Sequence, residues 1–71
     1  GGPTQVRAAA KNFQSITVIV DPSDYKTVTN GQTSLMQRKQ LAAKAFHHVA
    51  LYDLLIAQTL SEGASFQNEV I

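Results

Sequence analysis

Cysteine is absent from all 71 residues, which removes disulfides, thiolate metal sites and thiol nucleophiles together. The absence agrees with a reducing compartment, so the cytoplasm is the expected location. No apolar run reaches the roughly 18 residues of a membrane span, and no basic stretch followed by an apolar one opens the chain as a secretory leader would. A membrane is therefore not an expected partner. Charge of either sign is scarce: 6 Lys+Arg against 5 Asp+Glu leave a formal net charge of +1, too little for a general attraction to a phosphate backbone. Nucleic acid is not expected either. The phosphate-loop pattern, the GxGxxG dinucleotide pattern and a GxSxG nucleophile elbow are all missing.

What is present suits a small globular segment. The composition is 44% hydrophobic and 15% charged, whereas disordered chains are poorer in apolar residues and richer in charge. The length allows one domain at most, with a modest buried share. Of the two prolines, Pro3 opens "PTQVRAAAK", whose strong helix formers predict a short helix over 3–11, with Asn12 ending it. The second, Pro22, follows Asp21, a good capping residue, and predicts another short helix beginning in "DPSDY". Asn30 and Gly31 are suited to a turn. Ser34 with Gln37 has the spacing of a capping box, and no glycine or proline interrupts the chain from Leu35 until Gly63. One long helix over about 35–60 is predicted. Its apolar positions Ala42, Ala45, Phe46, Val49, Tyr52, Ile56 and Leu60, widened by Leu41, Leu51, Leu54 and Leu55, predict that most of it is buried. The last residues are too few to assign, although Val70 and Ile71 are compatible with the start of a strand.

Between the two short helices lies "ITVIV", a β-branched run over 16–20 with no polar alternation. That is how a strand covered on both faces reads, and it predicts an α/β fold with a parallel sheet. A central strand needs neighbours, because buried backbone groups without partners are costly, and no second confident strand is visible. The expectation is a piece of a larger domain, or a chain that assembles with others.

Several residues carry two readings. Lys11 is either a reactive amine or a cation placed favourably at the negative end of a helix dipole. The glycines of "GGPT" either let an anion approach the unpaired N–H groups of a first helical turn or form a plain turn. Asp21 and Asp24 resemble paired acids, but a cap explains Asp21 better. His47 and His48 are adjacent, so on a helix they diverge by about 100° and do not share a metal ion. His48 lies four residues from Lys44 and from Tyr52, where a hydrogen-bonded surface histidine is the ordinary expectation.

The stretches "GGPTQVRAAAKNF", "VIVDPSDY" and "TSLMQRKQLAAKAFHHVALYD", in that order, resemble the IMP cyclohydrolase domain of the bifunctional AICAR transformylase/IMP cyclohydrolase family. The resemblance runs from Gly1 to about Leu60 and covers the C-terminal half of that domain. It implies residues 1–60 as part of the domain and residues 61–71 as a tail leading toward the formyltransferase part. It implies a methylglyoxal-synthase-like fold, a mainly parallel sheet flanked by helices. The implied reaction closes the purine ring: the carboxamide nitrogen of formyl-AICAR attacks the formyl carbon, and loss of water gives IMP. No metal or organic cofactor is implied.

Lys11 matches the lysine of the family's "RAAAKN" motif, regarded as a proton donor or acceptor. A free lysine amine is protonated at neutral pH, which favours the role of acid. Gly1 and Gly2 match the glycine pair that approaches the substrate nucleotide by its backbone. The chain departs from the family pattern in places. The family's "IDIGG" puts an aspartate before the glycine pair, where this sequence has nothing; Met36 and Gln37 stand for the glutamate and threonine of "SLETR"; Val49 stands for the threonine of "HTA". The resemblance also implies either a homo-oligomer or association with the remainder of the domain.

Overall fold

A computed structural model describes residues 2–28 and 31–62. Helix α1 spans Gly2–Lys11, a short 3₁₀ helix spans Pro22–Thr27, and helix α2 spans Leu35–Leu60. The local signals account for these elements. Asp21 caps the 3₁₀ helix, accepting a hydrogen bond from the Ser23 amide at 3.0 Å. The capping box forms reciprocally: the Gln37 amide donates to Ser34 Oγ at 3.0 Å, and the Ser34 amide donates to Gln37 Oε1 at 2.7 Å. Gly31 has a φ of 72°, a conformation that costs glycine nothing and precedes the entry to α2. The expectations for Gly1, Asn30, Gly63, Val70 and Ile71 lie outside the described residues.

The expected α/β architecture does not form. Among the described residues there is no strand and no sheet, only helices, connecting segments and one isolated bridge residue, Gln32. The methylglyoxal-synthase-like parallel sheet is overturned by that finding. The run over 16–20 has no helical structure, but it does not enter a ladder. β-branching disfavours helix locally, whereas a strand needs a second segment to pair with. Here the run is held by its side chains instead. Val18 is buried against the helices, and the Thr17 and Thr33 hydroxyls are hydrogen-bonded at 2.8 Å.

The core lies where α1 crosses the first half of α2. Ala10, Val18, Ala42 and Ala45 form the buried cluster, with Val6, Ala9, Phe13 and Val20 packed against it. Val6, Ala9, Ala10 and Phe13 follow the i, i+3, i+4, i+7 spacing of one helix face, continued through the turn after α1. Ala42, Ala45 and Val49 are the buried residues of α2. Arg7 on α1 and Asp53 on α2 close the far side of this contact with an ion pair.

The expectation that α2 is mostly buried also fails: every residue over 51–60 is exposed. The reason is length. The 26 residues of α2 extend roughly 39 Å and the 10 of α1 only about 15 Å, so α1 covers part of its neighbour and no more.

Candidate functional site

Helix α1 carries both described candidates, and it holds them apart. Gly2 is its first residue and Lys11 its last, which puts them roughly 13 Å apart along the axis. At the Gly2 end, a cleft of about 250 Å³ opens between the helices, lined by Gly2, Pro3, Val6, His48, Val49 and Tyr52. A Cβ added to Gly2 would meet no atom within 4 Å. Packing within this chain therefore does not demand glycine there, and the space beside the backbone stays open. At the other end, Lys11 is exposed, and among the described residues no acid pairs with it. A cation in the last turn of α1 also suits the helix dipole.

Asp21 and Asp24 do come together, but through a cation that sequence reasoning had not assigned to them. Lys44 Nζ lies 3.2 Å from Asp21 Oδ2 and 2.8 Å from Asp24 Oδ2. The Ser23 amide, the Ser23 hydroxyl and Lys44 together hold the Asp21 carboxyl below the usual carboxylate range. Asp24 and Asp21 in turn raise the Lys44 amine above its ordinary value. The trio, one ammonium between two carboxylates, is a clamp pinning the 3₁₀ helix onto α2, so Asp21 is kept ionised and unsuited to donating a proton near neutral pH. The signal for Lys44 was faint: two acids about twenty residues upstream, with nothing local to connect them.

His47 and His48 are both exposed on α2. They line one groove of about 300 Å³ with Val20, Asp21, Pro22, Lys44 and Leu51, and His48 also reaches the cleft beside Gly2. Among the described residues no group of three or more His, Asp or Glu side chains is placed to hold a metal ion. No described helix is long and apolar enough to cross a membrane.

Among the described residues, the side chain with the most hydrogen bonds is Arg38, which the sequence reading passed over. Its guanidinium donates to Phe13 O at 2.8 Å, Gln14 O at 3.2 Å and Thr33 O at 2.7 Å, with a longer bond to Thr33 Oγ1 at 3.3 Å. It joins the exit of α1 to the entry of α2.

A family profile described as "AICARFT/IMPCHase bienzyme" matches residues 9–71, nearly the whole chain. The chain belongs to this bienzyme family. Lys11 lies within the matched span, and Gly1 and Gly2 lie before it. Among curated relatives, a "Bifunctional purine biosynthesis protein PurH" of Lactococcus lactis is 52% identical over 73 residues, covering 96% of this chain and 14% of that protein. The PurH protein of Streptococcus mutans is 54% identical over 63 residues, covering 82% of this chain and 12% of its own length. That of Bacillus subtilis is 53% identical over 66 residues, covering 86% and 13%. The chain thus spans about one-seventh of the length of the bienzyme relatives it matches.

Proposed function

We propose that this chain is a segment of a bifunctional purine-biosynthesis enzyme, that residues 1–60 belong to the C-terminal half of its IMP cyclohydrolase domain, and that residues 61–71 lead toward the formyltransferase part. In this reading Lys11 is the general acid of ring closure. The carboxamide nitrogen of formyl-AICAR bonds to the formyl carbon and its proton is released. That proton goes to the former formyl oxygen and makes it a hydroxyl. The hydroxyl then leaves as water, taking its second proton from the Lys11 ammonium. The former formamido nitrogen gives up its own proton, which restores the ammonium and completes the ring double bond of IMP. Gly1 and Gly2 contribute backbone contact to the nucleotide.

The observation that carries the reading is Lys11 itself. It ends the "RAAAK" helix within the span shared with the bienzyme family, with an exposed amine and no described acid holding it. A backbone fixed on one side and an amine free on the other suit delivery of a proton to a bound substrate. The reading also carries a cytoplasmic location and a nucleotide partner. The bare end of α2 supports either self-association or cover by other parts of a longer polypeptide.

The competing reading, Lys11 as a helix-dipole cation, is favoured by its place in the last turn. The two separate cleanly in the full-length enzyme. Lys11→Ala is expected to lower turnover roughly 100-fold or more while leaving the melting temperature nearly unchanged. A dipole cation would instead cost about 0.3 to 1 kcal/mol of stability and leave the chemical step intact. Lys11→Arg keeps the charge but yields its proton far less readily, so full turnover by that variant would refute the acid assignment. The 71-residue chain alone is expected to form no IMP from formyl-AICAR above a buffer control.

A further inference from the structure

We propose that Arg38 is a positioning residue for Lys11: its guanidinium grips the carbonyls of Phe13 and Gln14 and so fixes the turn against which the lysine's helix ends. The inference rests on the reading of Lys11 as the acid of ring closure.

Lys11 stands between two constraints. On one side Ala10 is 1% exposed in the core. On the other, the chain turns sharply: the Asn12 amide donates to Ala9 O at 3.1 Å, and Asn12 O accepts from both Ser15 at 3.1 Å and Ile16 at 2.9 Å. Phe13 packs its ring against the core cluster, while its carbonyl and that of Gln14 receive Arg38 Nε and Nη2. The base of Arg38 is itself anchored, because its amide donates to Ser34 O at 3.0 Å within the capped first turn of α2. Its third nitrogen holds Thr33, whose hydroxyl meets that of Thr17. One side chain therefore ties the exit of α1, the run over 16–20 and the entry of α2 into one frame.

The chemistry of these contacts selects arginine. All the acceptors are carbonyl or hydroxyl oxygens, and no described acid pairs with Arg38. What the site uses is a planar fork with several N–H groups in fixed directions; an ammonium has the charge without the fork. A catalytic side chain must be held to within about 0.5 Å of its productive position, and a misplacement of about 1 Å is enough to cost on the order of 100-fold in rate.

The test is a double-mutant cycle in full-length enzyme carrying this segment, with ring closure of formyl-AICAR as the readout. Arg38→Lys is expected to lower kcat on the order of 10-fold, with KM changed less than about twofold, because the lysine is misaimed while substrate contacts persist. In a Lys11→Ala background, Arg38→Lys is expected to cause no further loss, since a displaced acid and a missing acid are then the same defect. If Lys11→Ala is impaired and Arg38→Lys either keeps full kcat or adds its full loss to the double variant, the positioning role is overturned and the lysine reading stands. If Lys11→Ala turns over like the parent, the lysine reading fails and the positioning role fails with it. A second measurement needs no variant, should Arg38→Lys not fold. In the parent, the Ser15 and Ile16 amides are expected to be protected from hydrogen exchange as well as those in the middle of α1; exchange at free-peptide rates would overturn the fixed turn.

Discussion

Helix α2 is one continuous element with two fates. The part up to Val49 puts Ala42, Ala45 and Val49 into the core, whereas the rest, roughly its second half, leaves Leu51, Leu54, Leu55, Ile56 and Leu60 in solvent. The apolar side chains that stay bare, with Leu35, Met36 and Phe46 before them, are larger than the ones in the core. Hydrophobicity therefore did not decide which half was buried; the reach of α1 did. Once the capped and packed part of α2 has formed, each further residue adds a hydrogen bond without a new nucleus, so the helix continues past the reach of α1, and the uncovered side is then free surface of a kind that marks an interaction site.

The contrast can be broken most forcefully in the packed half. Ala45 is 0% exposed, so Ala45→Leu has nowhere to put three added carbons and is expected to cost about 1 to 3 kcal/mol in denaturant unfolding followed by circular dichroism. A cost below the error of the measurement would mean that the α1–α2 contact is loose. Removing the cap comes next. Ser34→Ala is expected to cost about 1 kcal/mol and to unwind the first turns of α2 before its far end, seen residue by residue in hydrogen exchange. In the bare half, Leu55, at 62% exposure, should behave oppositely: Leu55→Ala is expected to stay within about 0.5 kcal/mol for the monomer. A larger loss that grows with protein concentration would show that copies of the chain cover this surface, and sedimentation velocity on Leu54→Lys with Leu55→Lys would then show the association dispersed.

The smallest effect belongs to the clamp of Asp21, Asp24 and Lys44. The Asp21 carboxyl is depressed in the folded chain, so its contribution is present above its ordinary value of 3.8 and is lost as pH falls through the lower folded value. The amine of Lys44 is raised, so its contribution is present below 10.5 and fades only as pH climbs through the higher folded value. All three groups are partly exposed, and screening keeps the effect slight. Asp21→Asn is expected to flatten the acid side of a melting-temperature profile, below about pH 4, relative to the parent. Superimposable profiles would show that the clamp contributes nothing.

What was legible in the sequence was what short-range rules control. Pro3, Asp21 with Pro22, and Ser34 with Gln37 located all three helical elements, because caps and first-turn prolines act within four residues. The family was legible too, from "RAAAKN" and its neighbours. The sheet was inferred from residues 16–20 by extending a rule about local conformation to a pairing that needs a second segment. The burial of α2 was inferred from its apolar arc, although burial depends on what lies opposite. The clamp role of Lys44 and the grip of Arg38 on the turn after α1 were not visible for the same reason: the partners in those contacts lie 20 to 25 residues away, at Asp21, Asp24, Phe13 and Gln14.

The smallness of the core side chains has a practical consequence. Ala10, Ala42 and Ala45 are already truncated, so an alanine scan would pass over three of the positions that hold the helices together. At these three positions the contact is weakened by adding atoms, not by truncation to alanine. A tolerance map built from truncations would register Val18 and Val49 and leave these three alanines blank, while one built from added volume would trace all five positions.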